Sequence, residues 1–197
     1  LRPYASRKDW EERARYIVEH ILICTGLWPL PERTPLRVKF TNRVEVDGEY
    51  SVENVYFHST PGLLVCGNLY RPLRGRQKHL PAVLCPHGHW PDGRLESTEL
   101  GSIPGRCIGL ARRGFVAFSY DMPGYNDNDQ IAHRELGGAL GDLWGIGMMG
   151  VQLWNSIRAV DFIAQLADVD AGRIGCTGAS GGATQTFLLS AVDERIR

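Results

Sequence analysis

The spacing of apolar residues changes period along the chain, and each change marks a new kind of element. Residues 8–24 carry Trp10, Ala14, Ile17, Ile21 and Cys24 at helical spacing between charged positions, which predicts an amphipathic helix that buries this stripe. Ser6 with Asp9 three residues on makes a capping pair, Gly26 stands where the helix should stop, and His20 reads as a surface residue. Residues 28–35 hold Pro29, Pro31 and Pro35, cannot continue the helix, and read as an extended linker pinned by its apolar side chains. From residue 36 to 72 the period drops to two. Residues 43–46, the turn Asp47-Gly48 and residues 50–57 form a hairpin pattern, and residues 63–70 supply a third strand between Pro61 and Pro72. Short turns between neighbouring strands imply an antiparallel meander at one sheet edge, with His58 closing a strand in a structural role.

The pattern then turns to continuous apolar runs alternating with helical ones. Residues 81–86 (PAVLCP) and 115–120 (FVAFSY) read as strands covered on both faces. Residues 103–113 read as a helix starting near Pro104 and stopping at Gly114. Residues 146–167 read as a long amphipathic helix with Met149, Leu153, Ile157, Val160 and Ala164 inward. A short strand around Ile174 and Cys176 follows, then a helical run containing Phe187, Leu188 and Leu189. Strand and helix in alternation predict an α/β fold, a mostly parallel sheet with helices on both faces and an antiparallel N-terminal edge. The expected division is a helix and Pro-rich linker over 1–35 and one α/β domain over 36–197.

Composition narrows the partners. The 22 basic and 22 acidic residues balance, which leaves no electrostatic footprint for nucleic acid or an anionic membrane and suits a small neutral or weakly charged substrate. No apolar run approaches the roughly 18 residues that span a bilayer, so a soluble chain is expected. The five cysteines show no C-x-x-C pairing, and Cys66, Cys85 and Cys176 sit in apolar runs, so buried free thiols are expected, the alternative being a disulfide and with it an oxidising compartment. The chain opens at Leu1 rather than Met, which leaves export open.

The chemistry gathers at Gly178-Ala179-Ser180-Gly181-Gly182, a G-x-S-x-G pattern between the Ile174 strand and the last helix. In such a turn a side chain at Gly178 or Gly182 would meet neighbouring backbone, while the Ser180 hydroxyl is lifted to the positive end of the next helix. The plain alternative is a tight turn with a capping serine. His87-Gly88-His89-Trp90 follows the first buried strand, where open parallel sheets place ligand-binding loops. One reading has an amide at His89 or Trp90 donate to an oxyanion together with the amide of Gly181. A second has His87 and His89 project on one face and bind a metal, with Asp92 or Asp121 completing the site. A third is a structural turn. Gly145-Ile146-Gly147-Met148-Met149-Gly150 matches a dinucleotide fingerprint but follows LGGALGDLW instead of a buried strand, with Asp168 and Asp170 as possible ribose partners. Close packing of this segment against the serine turn is expected instead. Asp121 precedes Met122-Pro123-Gly124 and reads as turn chemistry before catalysis. The long polar connection 125–143 suggests a lid or substrate-binding loop, with Arg134 in reach of a substrate carboxylate. Trp90 and Trp144 could floor a cleft or fill the core.

GNLYRP at 67–72, PAVLCPHGHWPDGR at 81–94, YDMPGYND at 120–127, LWNSIRAVDFI at 153–163 and AGRIGCTGASGG at 171–182 together resemble the α/β-hydrolase superfamily. More narrowly, they are similar to the bacterial acetyl xylan esterase-like hydrolases, close to prolyl-oligopeptidase-type domains. The resemblance covers about residues 36–197 and implies a serine esterase acting on small-molecule or carbohydrate esters without a cofactor. By it Ser180 is the nucleophile, and His89 and Gly181 give the oxyanion amides. The superfamily order is Ser, then acid, then His, yet no His follows Ser180, and Asp193 and Glu194 come too early to be the acid. The resemblance therefore implies the front part of a longer enzyme or a non-catalytic relative.

Overall fold

Local sequence signals set most of the element boundaries in the computed structural model, which describes residues 4–75, 78–136 and 139–197. Helix α1 (Arg7–Cys24) starts where the Ser6 hydroxyl accepts the Asp9 N–H (3.2 Å). Its buried stripe is not the expected one. Ala14, Val18, Ile21 and Leu22 face inward, whereas Trp10 is 51% and Ile17 36% exposed and Cys24 is exposed too. Trp10, Ala14, Ile17, Ile21 and Cys24 have helical spacing, but α1 docks through the neighbouring stripe at Val18, Ile21 and Leu22. The following segment is pinned by Leu27 and Leu36, while Trp28 and Leu30 remain exposed.

Strand β1 (Lys39–Val46) turns at Asp47-Gly48, both at positive φ and closed by the Glu49 N–H on the Val46 carbonyl (2.9 Å), into β2 (Tyr50–Thr60) and then β3 (Leu63–Pro72). Strand β4 (Leu80–Leu84) is followed by a single 3₁₀ turn at Gly93–Leu95 and a small ribbon of β5 (Ser97–Thr98) and β6 (Gly101–Ser102). Helix α2 (Ile103–Arg112), capped by Ser102, leads to β7 (Val116–Tyr120). Two helices, α3 (Ala139–Trp144) and α4 (Met148–Ala164), precede β8 (Val169–Cys176) and α5 (Gly181–Val192). The main sheet runs β1-β2-β3-β7-β4-β8. β1, β2 and β3 pair antiparallel, β3 meets β7 antiparallel, and β7, β4 and β8 are parallel.

Alternate side chains feed two apolar layers. Leu69, Leu84, Val116, Phe118 and Tyr120 join the large core with α1, α4 and α5, while Tyr70, Cys85 and Ala117 meet α2 on the other face. Phe57, Phe118 and Phe162 pack ring on ring within the large core, with centroids 4.9–6.2 Å apart. The helix expected over 146–167 is α4, and its middle is buried all round instead of along one side. From Gln152 to Ile163 every residue of α4 is buried, including the Arg158–Asp161 ion pair (2.5 Å). Its polar side is covered by the linker, where Arg158 donates to the Thr34 carbonyl, and by Arg195, which binds Asp161. All five cysteines are free thiols, and Cys66, Cys85 and Cys107 are buried. No described helix is long and apolar enough to cross a membrane.

Candidate active site

The β8–α5 turn is built by close backbone approach. A Cβ at Gly178 would lie 2.3 Å from the Gly182 carbonyl oxygen, and one at Gly182 would lie 2.3 Å from the Pro86 oxygen at the end of β4. The turn leaves Ser180 at φ 54° and ψ −125°, a conformation that costs a non-glycine residue about 1–3 kcal/mol. Ser180 is exposed and stands at the N-cap of α5, yet its hydroxyl makes no capping bond. The capping-serine alternative is thereby excluded. The Gly181 amide, first in α5, has no intrahelical acceptor, and the helix end supplies partial positive charge.

The 87–90 loop lies against this turn. His87 is fully buried and both ring nitrogens are committed: Nδ1 donates to the Gly88 carbonyl (2.7 Å) and Nε2 accepts from the Met122 amide (3.0 Å). Burial pushes its pKa from 6.5 down to about 4, so the ring is neutral at neutral pH. With no free lone pair, His87 cannot serve as a metal ligand, and the His87/His89 metal reading falls on that geometry. His89 points elsewhere. Its Nε2 lies 2.9 Å from His133 Nε2, and His133 Nδ1 donates to the Pro123 carbonyl (2.9 Å). In the neutral pair His133 Nε2 is therefore the acceptor and His89 Nε2 the donor. A Cβ on Gly181 would fall 2.5 Å from His89 Nδ1, so only glycine lets this ring lie beside the residue after Ser180. Partial burial, then His133 and Arg134, lower the His89 pKa. The Trp90 amide donates to the Gly88 carbonyl (2.9 Å), which leaves His89 as the candidate amide of the loop.

A buried ion-pair network holds the loops together. Arg94, 4% exposed, donates to Asn68 (2.6 Å), Asp121 and Asp127 (2.5 Å). Asp121 sits 3.6 Å from His87 Nε2 and accepts from Asn126 (2.8 Å), so it is a loop anchor with no exposed surface. Beside Ser180 lies a cavity of about 350 Å³ lined by Trp90, Ala179, Ile103 and Arg106, with Glu96 and Thr98 among its polar groups.

The remaining candidates separate. Trp90 is half-buried on the cavity wall, whereas Trp144 is 74% exposed on α3 and absent from that lining. Arg134 is exposed near His89. The Gly145–Gly150 segment follows a helix, and it packs on the end of α1 instead of on the serine turn: a Cβ at Gly150 would lie 1.9 Å from the Thr25 carbonyl oxygen. Gly137 and Gly138, part of the connection read as a lid, lie outside the described residues. Asp168 is engaged by Arg71 (2.9 Å) and Asp170 by Arg173 (2.8 Å), so neither waits for a ribose. Sequence reading missed Arg94, Arg106 and the pairing of His133 with His89. The DGR and IPGRC contexts carry no periodic signal, and the two histidines stand 44 residues apart.

A mixed sheet whose parallel strand β8 feeds a G-x-S-x-G turn into α5, facing a His-Gly loop after β4, decides the fold. The chain has the α/β-hydrolase fold. No protein-family model matches it. It is 27% identical over 177 residues to "Putative hydrolase YtaP" of Bacillus subtilis (strain 168), covering 87% of this chain and 58% of that protein. Among solved structures it superposes on "Methylesterase BT1017" with a TM-score of 0.78 and 28% identity, over 98% of this chain and 41% of the other. It also superposes on a "putative acetyl xylan esterase" of Bacteroides fragilis NCTC 9343 with a TM-score of 0.82 and 15% identity, over 100% and 54% of the two chains. The chain thus spans about half the length of these relatives, and the solved ones are esterases by name.

Proposed function

We propose that this chain, with its α/β-hydrolase fold, is a carboxylic ester hydrolase that works through an acyl-enzyme on Ser180. One observation carries the proposal: Ser180 is held at positive φ at the N-terminus of α5 with its hydroxyl unused by the helix cap. Backbone strain kept by surrounding structure at an exposed hydroxyl is a functional investment. In the proposed reaction Ser180 Oγ attacks the ester carbonyl, and the amides of Gly181 and His89 receive the charge that develops on the carbonyl oxygen. The alcohol leaves, and water releases the acid from the acyl-enzyme. The proton acceptor is not assigned to His87, whose two nitrogens are committed. In the superfamily order it is a histidine later than the serine. The names of the structural relatives support esters of carbohydrate as substrates, acetyl esters first.

The test uses the natural-length protein and a fluorophosphonate probe, with the adduct mapped by peptide mass spectrometry. Labelling at Ser180 that disappears in Ser180→Ala is the expected result. A folded natural-length protein that takes no label overturns the mechanism and leaves a relative that binds ligand without turning it over.

A further inference from the structure

Arg106 is the exception among the arginines withdrawn from water. Arg71, Arg94, Arg158 and Arg195 are buried or half-buried, and each has a carboxylate at salt-bridge distance. Arg106 is half-buried too, but among the described residues no carboxylate lies within 4.0 Å of its guanidinium. Among the described residues its one hydrogen bond is a long one, from Nη1 to the Thr177 carbonyl (3.4 Å). That contact fixes it at the entrance to the serine turn, one turn into α2, whose start is pinned by the Ser102 cap on Gly105 (2.9 Å). A planar guanidinium with five donors and a single weak acceptor is poised to take a carboxylate in two parallel hydrogen bonds.

Its surroundings fit a ligand and not a structural partner. Arg106 lines the cavity of about 350 Å³ whose wall also includes Ala179, the neighbour of Ser180, and the half-buried Trp90. Thr98 and Ser102 add hydroxyls. Glu96 is the opposing charge in the same cavity, and its carboxylate is engaged by the Asp92 amide (3.3 Å). We infer that Arg106 is the carboxylate-binding residue of a substrate subsite, so that the preferred esters carry a free carboxylate on their acyl or alcohol half. This rests on the proposal that Ser180 is the nucleophile.

The experiment compares esters of equal size that differ by one charge, with the natural-length protein. On the alcohol half the pair is 4-carboxyphenyl acetate and 4-carbamoylphenyl acetate, and on the acyl half it is monomethyl adipate and methyl adipamate. The wild type favours the carboxylate member of at least one pair by roughly 10- to 100-fold in kcat/KM, the range expected of hydrogen bonds to a charged group. Whichever pair responds identifies the half that enters the cavity. Arg106→Gln brings that ratio close to one, Arg106→Lys retains part of it, and Glu96→Gln raises it. A wild-type ratio at or below one for both pairs overturns the inference, and so does a ratio that Arg106→Gln leaves unchanged. Where Arg106→Gln does not fold, the wild-type and Arg106→Lys ratios decide. Fluorophosphonate labelling of Ser180 without turnover of either carboxylate ester sinks the subsite alone, whereas absence of labelling sinks the nucleophile itself.

Discussion

Arg94 grips one buried carboxylate and one exposed one, which makes them a useful pair for measuring what holds the site loops in place. The Asp121 side chain is 0% exposed and that of Asp127 is 67% exposed, while Arg94 itself is 4% exposed. Asp121→Ala leaves a buried guanidinium facing a void, with only Asn68 and a solvent-washed carboxylate to balance it. Removing one partner of a buried pair costs about 3–5 kcal/mol. Asp127→Ala removes an exposed partner and costs about 0–1 kcal/mol. Asp121→Asn is no milder than Asp121→Ala. Arg94 donates to one Asp121 oxygen and Asn126 to the other (2.8 Å), so either amide orientation sets donor against donor. Urea unfolding of the natural-length protein reads the difference. With a slope of about 2 kcal/mol per molar, the Asp121→Ala midpoint falls by about 1.5–2.5 M and that of Asp127→Ala by under about 0.5 M. Equal midpoints for the two alanine variants would refute the claim that the buried, doubly hydrogen-bonded carboxylate anchors the loop and the exposed one does not.

His87 titrates low because burial disfavours its charged form, and its folded pKa of about 4 lies below the 6.5 of an unperturbed histidine. The unfolded chain therefore binds a proton that the folded chain refuses between these values. Stability contributed by neutral His87 is present above pH 6.5 and lost as pH falls toward 4, at up to about 1.4 kcal/mol per pH unit. Imidazole NMR that follows His87 with a midpoint near 6.5 contradicts this. His89 is proposed to act through its backbone amide, so His89→Ala retains fluorophosphonate labelling of Ser180, slowed by less than about 10-fold, one donor being worth at least about 100-fold. Loss of about 100-fold or more would transfer the role to the imidazole, which lies against Gly181 and leans on His133.

Much of the fold is legible in the sequence because local rules dominate it. The Asp47-Gly48 turn, the Ser6 and Ser102 caps and the unbroken apolar runs of β4 and β7 are each specified within a few residues. The serine turn is readable for the same reason. Glycine at 178 and 182 is a statement about the backbone immediately around it, and the apolar strand before and helix after complete the pattern. Which face of α1 is buried is a different matter, since Trp10, Ile17 and Val18 all suit a helix face and only docking on the body chooses Val18. Gly150 shows the same limit. Its need for close approach is visible, but the partner, the Thr25 carbonyl, is an accident of where α1 ends in space.

The sequence by itself determined the order of the main-sheet strands and of α1, α2, α4 and α5, the antiparallel edge and the serine turn, because those depend on periodicity, turn chemistry and sterics between near neighbours. Only the tertiary structure decided the fates of the polar residues. It paired Arg94 with Asp121, used up both nitrogens of His87, brought His133 to His89 and, among the described residues, left Arg106 by the serine turn without an acid. Charge pairing and desolvation act between groups that are distant along the chain and near in space, so no local pattern encodes them.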